Sequence, residues 1–249
     1  MKINRTTLLV AFTGLFLITQ VHAEVSIDWL YDFRHTTDPR NNPDNYPVIE
    51  LKLFQPLSFG SFLMKDEINL NGQQHNASKV YTEMSQSIKL GDLKLFNSPL
   101  LAHLGFSGGL GLFDNANGGY YIQNAYSVGL ELPFEVRKTF CNVYVALRYT
   151  NFAKPSYDPM LALYAGKYFL NYKLLFANSL EAWTTSNNQG EPWNQMKSGK
   201  FASWELESEL WYKVAKNFWI GTYVRTTFNV YAVSNRWLIY PSAGVRYSF

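Results

Sequence analysis

The chain has 249 residues, 47% of them apolar and 17% aromatic, yet its mean hydropathy is only −0.17. A formal charge of +3, balanced between 22 basic and 19 acidic residues, excludes the concentrated basic face of a nucleic-acid binder. One cysteine, Cys141, excludes an intramolecular disulfide and reads as a small apolar residue within an alternating run.

In chain order, Lys2 and Arg5 precede a mostly apolar stretch from Leu8 to Ile18, and Val21-His22-Ala23 fits a small-residue cleavage site. Residues 1–23 are expected to be a signal peptide that exports residues 24–249 as one domain. No later stretch reaches the roughly 18 consecutive apolar residues of a transmembrane helix. The rest of the chain instead holds about twelve extended segments, each of roughly nine to eleven residues, a length that crosses a bilayer obliquely. They are expected at 24–33, 48–55, 61–70, 81–90, 99–111, 120–132, 138–149, 159–168, 172–184, 202–212, 218–228 and 237–249.

The connections alternate in length. His35 to Pro47, Asn71 to Val80 and Thr185 to Phe201 are long and polar; Pro56 to Gly60, Pro133 to Arg137, Phe169 to Asn171 and Lys213 to Asn217 are tight. Long external loops and short periplasmic turns are the pattern of outer-membrane barrels. The final segment supports this. Trp237, Ile239, Pro241, Ala243, Val245, Tyr247 and Phe249 share one face, and the polar or small residues share the other. An apolar-outward strand ending on Phe resembles the closing strand of bacterial outer-membrane barrels, where the C-terminal aromatic is read by the barrel-assembly machinery. The expected fold is therefore an all-β, antiparallel transmembrane β-barrel of about twelve strands in a Gram-negative outer membrane.

Facing follows from cost, because a basic side chain on the lipid side at the midplane costs about 2–4 kcal/mol. The sets Val25-Ile27-Trp29-Tyr31-Phe33, Ile49-Leu51-Leu53, Tyr126-Val128-Leu130-Leu132 and Trp204-Leu206-Leu210-Tyr212 should face lipid. Phe33, Phe54, Phe62, Tyr149, Phe218 and Trp237 should form aromatic girdles. The opposite faces should line the lumen with Glu50, Lys65, Glu83, Arg148, Glu181, Trp183, Glu205, Glu207, Glu209, Trp211, Tyr223, Arg225 and Arg246. Asp28, Asp32, Lys52, Glu67, Ser85 and His103 belong to the same faces. Glu205-Glu207-Glu209-Trp211 is the densest run. It is either a translocation wall, with carboxylates accepting from solute hydroxyls while Trp183, Trp211 and Tyr223 stack on flat rings, or charge filling of a narrow barrel. With the tenth turn centred on Ala215, Glu205 should face Arg225 and Glu207 should face Tyr223. In a water-filled lumen, Arg225→Ala should change passage more than stability.

Glu207-Ser208-Glu209-Leu210-Trp211-Tyr212, followed by Asn217-Phe218-Trp219-Ile220-Gly221, resembles the penultimate hairpin of the nucleoside-specific channel (Tsx) family and its uncharacterised relatives. Those relatives often carry Pro and Gln where this chain has Ser208 and Glu209. Tyr81-Thr82-Glu83-Met84-Ser85, leading into Ser87-Ile88-Lys89-Leu90, and Gly60-Ser61-Phe62-Leu63-Met64-Lys65-Asp66 are similar to that family's fourth and third strands. The resemblance implies a monomeric twelve-stranded barrel, surrounded by outer-membrane lipid, passing small polar solutes such as nucleosides with no bound cofactor or metal. The departures at Ser208 and Glu209 leave the fold intact and the substrate open.

Two other classes compete. A lipid hydrolase needs a Ser–His pair with a group orienting the His, on the barrel exterior. His35 and His75 fall in expected loops, His103 faces inward, and none has a Ser two positions away on its strand face, so the chain reads as a non-enzyme. A closed surface receptor would use the loop Thr185 to Phe201, where Glu191-Pro192-Trp193, Lys197 and Lys200 lie; Trp193 could close the mouth as a lid.

Overall fold

A computed structural model describes residues 23–40, 42, 44–71, 76–112, 119–151, 156–186, 200–230 and 236–249. Twelve strands form among them: β1 (Glu24–Asp32), β2 (Tyr46–Leu57), β3 (Gly60–Asn71), β4 (Asn76–Leu95), β5 (Ser98–Leu112), β6 (Gly119–Val136), β7 (Thr139–Asn151), β8 (Ser156–Phe169), β9 (Leu174–Ser186), β10 (Lys200–Lys213), β11 (Phe218–Phe228) and β12 (Trp237–Ser248). One helical turn, α1 (Arg34–Thr37), follows β1. Each strand is antiparallel to its chain neighbour, and β12 pairs with β1 to close the barrel. The expected leader up to residue 22 and most of the loop 185–201 lie outside the described residues.

Strand positions agree closely with the sequence expectation. β4 is the main departure: it runs 20 residues rather than ten because its hairpin with β5 continues past Gly60, where β3 begins, beyond a bulge between Lys89 and Lys94. Its turn, Phe96-Asn97, takes positive φ at both residues, as does Arg137-Lys138 between β6 and β7. Two such residues in succession match the right-handed twist of the flanking strands.

Period-two alternation separates the two barrel surfaces. On β1, Asp28, Leu30 and Asp32 are buried while Ile27, Trp29 and Tyr31 are exposed. β11 buries Trp219, Tyr223, Arg225 and Thr227, and β12 buries Leu238, Tyr240, Ser242 and Arg246, leaving Trp237, Ile239 and Tyr247 outside. Tyr126, Val128, Leu130, Trp204, Leu206, Leu210 and Tyr212 are likewise exposed, so the expected apolar sets form the outer surface. Cys141 sits on that outer parity beside Val143 and Val145. Phe54 is a correction to the expected girdle. It shares the inward parity of Glu50 and Lys52 at the strand end, since a period-two strand places every second residue on one face. Two polar pairs interrupt the outer surface: Thr82 donates to Asp66 at 2.6 Å, and Ser208 donates to Asn178 at 2.8 Å. Each pair spans adjacent strands on the outer parity.

Candidate functional site: a divided lumen

β10 and β11 supply the first half of the site. Their turn centres on Lys216, one residue beyond the expected Ala215, because Val214 N donates to Phe218 O at 3.0 Å and Lys213 pairs with Trp219. The register therefore moves by two. Glu207 faces Arg225, Glu209 faces Tyr223, and Glu205 faces Thr227. A shift of two keeps every side chain on its face, so the inward set survives and only the pairing is corrected. Arg225 Nε still lies 3.3 Å from Glu205 Oε1, on the diagonal.

From this hairpin, charges reach across the barrel to β1–β3. Arg225 Nη2 donates to Glu67 Oε2 at 2.7 Å and to Glu207 Oε1 at 2.9 Å. Lys65 Nζ reaches Glu207 at 2.8 Å, and Lys52 Nζ lies 2.7 Å from Glu209, 3.0 Å from Glu50 and 3.2 Å from Asp28. Arg246 grips Asp28 through two hydrogen bonds of 2.6 and 2.7 Å and donates to Glu209 at 2.7 Å. Its guanidinium lies 4.2 Å from the ring centroid of Trp211, whose Nε1 donates to Glu209 at 2.7 Å. Tyr223 OH donates to Glu207, and Leu30, Val48, Trp211, Trp219 and Tyr223 pack as one apolar cluster beside the charges.

This sector is a plug rather than an open wall. Glu50 and Trp211 are at most 1% exposed, and the Arg225 side chain is 7% exposed. That overturns the premise of a water-filled surrounding for Arg225. Interlocking strands β1–β3 and β10–β12 bring enough apolar bulk and opposite charge together to exclude solvent there. Above the plug, Arg34 makes two side-chain bonds of 3.0 and 2.7 Å to Asp32, between the rings of Tyr46 and Tyr240 at 4.8 and 4.2 Å. A small pocket beside it is bounded by Asp32, Glu50, Glu67, Tyr223 and Arg225.

The opposite sector, β4–β9, keeps a partly exposed polar wall set among buried inward residues such as His103, Glu131, Tyr144 and Asp158. Glu83, Ser85, Ser107, Ser127, Arg148, Glu181 and Trp183, joined by Glu205 from the neighbouring β10, face inward and retain partial solvent exposure. Small residues Gly105, Gly129 and Ala146 occupy inward positions between them. Tyr144 and Tyr164 donate to Glu181 at 3.2 and 3.0 Å, and the Arg148 guanidinium covers the Trp183 ring at 4.8 Å. His103 stacks on Tyr144, with ring centroids 4.1 Å apart, and its Nδ1 and Nε2 lie 3.2 Å from Glu131 and Ser127 respectively. Ser87 and Asn142 also donate to Glu131.

All thirteen residues expected to line the lumen therefore lie on inward faces, but they divide. Glu50, Lys65, Glu207, Glu209, Trp211, Tyr223, Arg225 and Arg246 build the plug; Glu83, Arg148, Glu181, Trp183 and Glu205 belong to the partly exposed wall. Sequence reasoning missed Ser127, Glu131, Tyr144 and Tyr164 as site residues. Their parity opposite Val128, Leu130, Val145 and Leu163 was the available signal. Serines near His103 on its own strand give no hint of Ser127, which arrives from β6.

No family model matches this sequence, and none of the curated proteins does. Solved structures do. The NanC porin is 14% identical, with a TM-score of 0.52 over 90% of this chain and 100% of that one. The KdgM porin is 18% identical, with a TM-score of 0.48 over 90% and 99%. OmpF of Salmonella typhi, in a complex with daunomycin, is 10% identical, with a TM-score of 0.43 over 92% and 97%. The likeness to the NanC porin is one of fold: both chains form a closed antiparallel β-barrel.

Proposed function

We propose that the protein is a monomeric outer-membrane channel, exported by its leader, that passes small polar solutes, nucleosides among them, by passive diffusion along the β4–β9 sector. The observation that carries this reading is the asymmetry of the interior. One sector pairs its cations with its own carboxylates around the buried Glu50 and Trp211, whereas the other presents hydroxyls, carboxylates and the Trp183 ring with partial solvent exposure. Such a wall accepts hydrogen bonds from solute hydroxyls and offers a flat face to a base. Phe249, exposed at the end of the closing strand, is the assembly signal in this reading. The experiment is conductance in planar bilayers: small steps are expected, with nucleosides reducing the current more than simple sugars do. Steps without nucleoside block assign the channel another solute. Silence at every voltage supports a closed barrel, which the solvent-excluding plug would favour.

A further inference from the structure

Resting on the channel reading, we propose that the wall around Glu181 and Glu205 is a site for cationic, amine-bearing solutes and gives the channel its preference for positive charge.

In the β9–β10 ladder Glu205 stands directly opposite Glu181. Like charges so placed repel, and a wall keeps them when something cationic comes between. Among the described residues, little countercharge faces this pair. Arg225 approaches Glu205 at 3.3 Å, but its guanidinium is already bonded to Glu67 and Glu207. Among the described residues, Glu181 receives the neutral hydroxyls of Tyr144 and Tyr164. Glu83, from β4, lies within electrostatic reach of both carboxylates. Arg148, on the same wall, lies over the Trp183 ring, while Lys52, Lys65, Lys79 and Arg246 are engaged by carboxylates of the plug.

A second observation comes from β11. Thr227 is 0% exposed, faces Glu205 across the β10–β11 ladder, and its Oγ1 has no hydrogen-bond partner among the described residues. A buried hydroxyl without a partner is unusual in a folded protein. An ammonium group carries three donors and no acceptor, whereas two carboxylates and a hydroxyl offer acceptors. Carboxylated solutes meet repulsion on the same wall.

The test uses the membrane-extracted protein at pH 8. Fluorescence of Trp183, two residues from Glu181 on the same face, is isolated as the difference between wild type and Trp183→Phe. Cs⁺ should quench it more than iodide does, and the bias should vanish in Glu181→Gln/Glu205→Gln. Thr227→Val, which preserves shape, should weaken the bias if the double variant fails to fold. In bilayers under a KCl gradient, the reversal potential should report K⁺ over Cl⁻ by roughly threefold or more, falling toward about one in the double variant. Equal quenching by the two ions, or a bias that survives both sets of substitutions, overturns the site. Silent bilayers with Cs⁺-biased quenching overturn the channel and leave the site standing; conductance with no cation preference does the reverse.

Discussion

Arg225→Ala should destabilise the barrel substantially. The side chain is 7% exposed and joins β11 to β3 and β10 through Glu67 and Glu207. Removing one member of a buried pair costs about 3–5 kcal/mol, because the abandoned charge stays behind. Both abandoned carboxylates keep another cation: Lys79 lies 2.8 Å from Glu67, and Lys65 lies 2.8 Å from Glu207. The loss should therefore fall at the lower end, about 3 kcal/mol, rather than the roughly 0–1 kcal/mol of a solvated pair. Urea unfolding in detergent, monitored by tryptophan fluorescence and gel migration, measures it. Adding Glu67→Gln to Arg225→Ala should recover about 1 kcal/mol or more, since partners in one network are not additive. A variant within about 0.5 kcal/mol of wild type would show that water reaches the guanidinium and that the plug is open.

Thiol accessibility should track the sector boundary. In a Cys141→Ser background, Ser85→Cys, Ser107→Cys and Ala146→Cys should react with a charged aqueous reagent, while Leu30→Cys and Ser242→Cys should not; uniform labelling would abolish the division. On intact cells, a label at Asp38 should react from outside and one at Lys216 should not, and the reverse pattern would invert the barrel. Replacing the outer-surface pair together, Asp66→Leu with Thr82→Val, should be neutral or stabilise by about 1 kcal/mol, because both hydrogen-bonding partners leave at once. A loss of several kcal/mol would place the pair in a polar contact rather than against lipid.

Strand faces were legible because a period of two is written locally. Asp28 between Ile27 and Trp29, or Arg246 between Val245 and Tyr247, can be assigned from three residues. Register was less so. The turn Val214-Ala215-Lys216-Asn217 contains no glycine to mark its centre, and an error of one residue there moves each partner by two. The plug was illegible for a different reason. Lys65 meets Glu207 across 142 residues and Arg225 meets Glu67 across 158, contacts that exist only once the barrel has closed. Ser127 and Glu131 around His103 depend in the same way on neighbouring strands being in register.

The plug also bears on how the cylinder is sealed. β1 and β12 share seven paired positions, Ser26 to Asp32 against Ser248 to Ser242, fewer than any other neighbouring strands. Arg246 and Asp28 face each other within that short ladder, and Lys52 and Glu209 extend the same cluster to β2 and β10. Until the last strand docks, Asp28 lacks Arg246 and Glu209 lacks Lys52, so a nearly finished barrel would hold an interior with incomplete charge pairing that a bilayer disfavours. Chain ends 218 residues apart must meet before that imbalance disappears. The cluster thus works as a clasp as well as a filling, making completion of the wall an all-or-none step and penalising a gap at the seam.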